Sequence, residues 1–179
     1  AIFPPQNPVV RLAGNRSHLL FLMLLLAGAS VRIIGIDRGR SEFHPPGRSA
    51  PAFYHFHPDE NLVVDAALAP FTPANPPITG YGMLPSYLLR GAMEAAVVLA
   101  GWDEPDLSDP RSEYPVFRLA RLLAAIYSIG TLCIVWVLGK KLFGSMAALV
   151  AVGLVAFAPG AIQQSQFHIV DGLFLFLST

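Results

Sequence analysis

The stretch FHPDENLVV, residues 56–64, sets His57 and the adjacent carboxylates Asp59 and Glu60 directly ahead of an apolar run. A carboxylate so placed can take a proton from a hydroxyl nucleophile, with its neighbour as an orienting partner. The bland reading is local: Pro58 suits the first turn of a helix, and acids at the next two positions complement the positive end of its dipole. In the spacing His55-x-His57-x-Asp59-Glu60, imidazole and carboxylate together would also suit a divalent metal. That spacing is no strong metal signature, so no metal or other cofactor is assigned, and His57 is read as a capping or hydrogen-bonding residue. A second polar group, Gln163 to Asp171 (QQSQFHIVD), lies between two apolar runs and includes Gln164 and His168. Its bland reading is an interfacial loop with Asp171 as a helix N-cap. Its functional reading is the polar lining of a substrate cavity.

Both groups need elements to position them, and composition says which kind. Of 179 residues 54% are hydrophobic and 13% charged, against roughly 25% charged in a soluble domain. That deficit points to a membrane protein. Formal net charge is zero, which gives no reason to expect nucleic acid as a partner. The single cysteine, Cys133, excludes an intrachain disulfide framework and a cysteine metal site.

The expected architecture is all-α, a polytopic transmembrane bundle. Apolar runs predict spanning helices at 19–36, 117–138 and 145–162, with the start of a fourth at 171–179. Arg32, near the end of the first, is expected to snorkel to the headgroups. Residues 37–115 form a long outer loop with surface helices at 58–69 and 84–102; the second carries Arg90 and Glu94 at i,i+4, and two midplane charges would oppose spanning. Residues 103–114 read as a solvated acidic connector, and 139–144 as a short turn. Lys140 and Lys141 in that turn, with Arg11 and Arg16, mark the cytoplasmic side by the positive-inside rule. The chain is expected to be the N-terminal part of a longer protein.

Four segments carry a resemblance: FHPDENLVVDAAL at 56–68, YGMLPSYLL at 81–89, GKKLFGSMAALVA at 139–151 and IQQSQFHIVDGLFLF at 162–176. In order and spacing they look like the N-terminal part of phospholipid-carrier-dependent glycosyltransferases of the GT-C superfamily, the group with glycosyltransferase family 39 and the protein O-mannosyltransferases. The resemblance implies a multi-pass cell-membrane enzyme acting on the extracytoplasmic face. Its donor would be a polyprenyl-phosphate-linked sugar, transferred with inversion to a hydroxyl acceptor on protein, lipid or glycan. It puts Asp59 on the family's catalytic position, Glu60 on its partner, both read as catalytic, and Asp171 on the acidic residue opening the fourth helix; Asp171, His57, Gln164, His168, Tyr81 and Arg90 are the candidates for the substrate side. In the mechanism this suggests, Arg90, Arg118 or Arg121 could contribute charge to the leaving phosphate, against the bland role, favoured for any one of them, of pairing with headgroups or with nearby acids. Extra Pro-, Arg- and Ser-rich sequence between Arg38 and His57, and a long 103–114 connector, depart from the pattern. The competing reading is a multi-helix transporter using the acids as a substrate or proton path, whose marker would be acids within spanning helices.

Overall fold

The structure, a computed structural model, describes residues 8–40, 54, 56–70, 82–105 and 110–179. The described residues are all-helical: α1 (Pro8–Ile34), α2 (Pro58–Leu68), α3 (Leu84–Ala100), α4 (Pro110–Phe143), α5 (Ser145–Phe157), α6 (Pro159–Gln164) and α7 (Val170–Ser178). α4 is the spine. Its 34 residues extend about 51 Å at 1.5 Å per residue, and α1, α2, α3, α5 and α7 all pack on it.

Helix ends follow local chemistry. His57 is the N-cap of α2, its Nδ1 accepting the Asp59 backbone N–H at 3.2 Å. With Pro58 at the first helical position, no N–H is lost that the helix could have used. α3 ends at Gly101, whose φ of +67° is the left-handed C-terminal conformation that favours glycine.

Gly144, with φ +87°, is the whole connection between α4 and α5. The turn expected at 139–144 is therefore helical through Phe143. The two helices approach closely there, since a Cβ on Gly139 would lie 3.1 Å from Ala148 Cα. Small residues at such crossings let backbones meet.

The run expected as a spanning helix at 145–162, with a kink or helix stop tolerable at Pro159, breaks there. Ala158 adopts φ −62°, ψ 120°, the extended conformation that a following proline imposes, and α6 starts afresh at Pro159. Proline has no N–H, so the Val155 carbonyl loses its ordinary i+4 donor. Arg32 supplies donors instead. Its guanidinium bonds the Val155 carbonyl at 3.2 Å and the Ala156 carbonyl at 2.9 Å, and also reaches Gly28 O at 3.0 Å and Ser128 Oγ at 2.7 Å. Arg32 is thus fully buried where α1, α4 and α5 meet. Snorkelling is corrected: the side chain turns inward because a broken helix offers it carbonyls.

Two apolar clusters hold α4 at separate levels. Near its start, Val116, Phe117 and Ala120 pack against Val64 and Ala67 of α2 and Leu89 and Met93 of α3. Further along, Trp136 packs with Ala148 and Val152 of α5, with Phe21 and Leu24 of α1 against them.

Among the described residues two helices are long and apolar enough to cross a membrane, Arg16–Ile34 and Ser112–Phe143, with 17% and 28% of their most apolar windows buried. Outward-facing residues along them include Leu19, Leu22, Leu26, Ile126 and Val137. α4 begins within the stretch read as an acidic connector, because Pro110 can open a helix and Glu113 complements its first turn. α5 alone is shorter, at 13 residues, about 20 Å. The α3 helix packs one face, Pro85, Ser86, Leu89 and Met93, on its neighbours.

Candidate active site

The site is built around Arg121. Its Nε donates to Glu60 Oε1 at 2.8 Å and its Nη2 to Glu60 Oε2 at 2.8 Å, and both side chains have zero exposure. A planar guanidinium matches a carboxylate through two parallel bonds. The remaining Nη1 donates to the Ile36 carbonyl at 3.1 Å and to the Arg38 carbonyl. From the other side, the His168 backbone N–H reaches Glu60 Oε1 at 3.3 Å, and the Arg121 guanidinium lies 5.7 Å from the centroid of the Phe167 ring. One buried pair therefore joins α2, α4, the chain leaving α1 and the 163–171 band.

Neighbouring residues of a helix turn point about 100° apart. Glu60 faces inward, and Asp59 is partly exposed. The two carboxylates thus have different environments: one is saturated by a guanidinium and an amide, the other is reachable from outside. A partly exposed carboxylate on a rigid helix start is suited to taking a proton from a hydroxyl.

His168 is buried with Nε2 3.2 Å from the Pro85 carbonyl. As the donor, Nε2 carries the proton, and Nδ1 is buried with no hydrogen-bond partner among the described residues. Burial pushes the imidazole below its ordinary value of 6.5, outweighing the opposite pull of the Pro85 carbonyl and of Glu60. His168 therefore stays neutral and packs under α3 rather than lining an opening. Ser86 Oγ completes the layer with a 3.0 Å bond to the Val63 carbonyl.

The other expected site residues are dispersed around this core. Gln164 ends α6, half-buried, and Asp171 is exposed in the first turn of α7. The N-cap of α7 is Ile169, not Asp171. Arg90 pairs with Glu94 at 3.2 Å and donates to the Ala69 carbonyl at 3.2 Å, tying α3 to the end of α2. Tyr81 and His55 lie outside the described residues. Among the described residues no group of three His, Cys, Asp or Glu side chains is placed to hold a metal.

Of the three arginines offered as charge for a leaving phosphate, Arg121 takes the bland role of pairing with a nearby acid: Glu60 and two carbonyls occupy its donors. Arg118 is more than half exposed, 3.2 Å from Asp37. It lines an open cleft of about 750 Å³ together with Trp102, Asp103, Glu104, Tyr114 and Leu122. Tyr114 Oη donates to Asp37 Oδ1 at 2.7 Å. Arg118 and Arg121 are three residues apart on α4, so the cleft opens within about one helical turn of the buried pair.

No signal in the sequence alone singled out Arg121 as the partner of Glu60. One arginine in an apolar helix, facing an acid in an apolar-flanked loop, is the pattern that could have suggested it.

Compared with known proteins, the chain matches no family model, no curated protein and no solved structure.

Proposed function

We propose that the chain is the catalytic N-terminal region of a membrane glycosyltransferase that moves a sugar from a polyprenyl-phosphate carrier to an acceptor hydroxyl. The observation that carries this reading is the division of labour between adjacent acids. Glu60 is locked by Arg121 and the His168 amide, while Asp59, one residue earlier, is partly exposed.

In the proposed step Asp59 accepts the proton of the acceptor hydroxyl, whose oxygen attacks the anomeric carbon. The bond to the carrier phosphate breaks on the opposite face, inverting the configuration. The carrier leaves as a lipid phosphate, and exposed Arg118 is a candidate for pairing with that charge. General-base assistance supplies about 10²- to 10⁴-fold, so positioning and phosphate stabilisation must supply the rest. Glu60 is a positioning residue here, because its oxygens are spent on Arg121 and His168. From Arg121 to Lys140 is about 28 Å along α4, close to the roughly 30 Å of a bilayer core, which supports a reading with this chemistry and the lysines on opposite sides. That spacing and the positive-inside rule support the proposed multi-pass insertion with Asp59 outside and Lys140 inside.

Against transport stands the distribution of acids, since residues 114–170 contain no Asp or Glu and a proton path needs them inside the spans. The reading is tested by incubating membranes that hold the full-length protein with radiolabelled polyprenyl-phosphate sugars. Transfer to a hydroxyl acceptor is expected; its absence with every sugar tried would refute the proposal.

A further inference from the structure

Charge is segregated along the sequence. Every acidic residue lies within 37–113 or at Asp171, so residues 1–36 and 114–170 contain none. At the end of α4 remote from Glu60, Lys140 Nζ donates to His18 Nε2 at 2.9 Å. Its ammonium lies 5.6 Å from the centroid of the Trp136 ring. His18 meets the same indole edge-on at 5.7 Å, and Phe21 stacks on it at 4.8 Å.

With a lysine ammonium as donor, His18 Nε2 is the acceptor and the corner's charge rests on the lysines. Lys141 follows, exposed, and Arg16 is exposed one turn or less from His18 in α1. Among the described residues no carboxylate pairs with Lys140, Lys141 or Arg16. Cations from two helices are gathered here, and the described residues offer them no counter-charge.

We propose that the corner formed by His18, Trp136, Lys140 and Lys141 binds the phosphate of an anionic phospholipid. Basic pockets between membrane helices take such headgroups, and tryptophan favours the interface where headgroup and chain meet. A lipid fits better than inorganic phosphate because the exposed Leu138 and Leu142 beside the lysines present apolar surface that only an acyl chain would use. The inference rests on the membrane reading of α1 and α4 and not on sugar transfer.

The sequence has two tryptophans, so Trp102→Phe leaves Trp136 as its single fluorescent reporter. This variant of the full chain is placed in phosphatidylcholine bilayers doped with brominated phosphatidylglycerol or, separately, brominated phosphatidylcholine. Quenching of Trp136 is expected to favour the glycerol lipid about five-fold or more, and to lose about five-fold with Lys140→Gln. Lys141→Gln, at an exposed position, should weaken the preference without affecting folding, and Lys140→Arg should retain it. Equal quenching by the two lipids, or a preference untouched by both glutamine variants, would overturn the site. If excess inorganic phosphate abolished the preference at constant ionic strength, the site would belong to the free ion and the lipid assignment would fail.

Discussion

Glu60 and Arg121 meet through two 2.8 Å hydrogen bonds across 61 positions of sequence, with neither side chain exposed. Removing one partner of such a pair leaves a buried charge uncompensated, at a cost of about 3–5 kcal/mol. Glu60→Gln and Arg121→Leu are each expected to lower the unfolding midpoint in detergent, and the double variant should lose less than the sum of the two. Additive losses in that double-mutant cycle would show that the residues do not act as a pair.

A second coupling joins Arg32 to Pro159. The guanidinium serves the Val155 carbonyl, whose ordinary donor Pro159 cannot provide. Arg32→Met should destabilise by about 1–3 kcal/mol for the stranded carbonyls. In a Pro159→Ala background, where an amide N–H is restored, the same substitution should cost measurably less. Thermal melts of the four proteins decide it, and an equal cost in both backgrounds would contradict the capping role.

The helices and the Asp59–Glu60 turn were legible in the sequence because they depend on local signals: proline at the first position of α2, acids in its first turn, and long apolar runs. What was not legible depends on contacts distant in the chain. Arg32 looked like a snorkelling end because nothing in its own helix reveals that α5 breaks opposite it. Pairing of Arg121 with a nearby acid was expected as its bland role, but which acid was not legible, because only the fold brings Glu60 to it. The helical start of α4 was hidden by the polar composition of 103–114, where Pro110 and Glu113 are the local signs of a helix.

Burial of His168 makes stability depend on pH. Its folded value lies below the ordinary 6.5, so between those two values the unfolded chain binds a proton that the folded chain does not. The stability is complete above about pH 6.5 and is lost as pH falls through the folded value. His168→Asn should be less stable at neutral pH yet lose less on acidification. This is read as the slope of unfolding midpoint against pH between about 7.5 and 5. An unchanged slope in the variant would remove His168 as the titrating group.

The central claim concerns Asp59, partly exposed beside an anchored Glu60. The most direct measurement is the initial rate of sugar transfer from a radiolabelled polyprenyl-phosphate donor by the full-length protein and by Asp59→Asn, with unfolding midpoints taken on the same preparations. Asparagine keeps the shape of aspartate but cannot accept the proton, so the rate should fall about 10²- to 10⁴-fold while the midpoint stays within experimental error. Near-normal turnover by folded Asp59→Asn would contradict the assignment of Asp59 as the base.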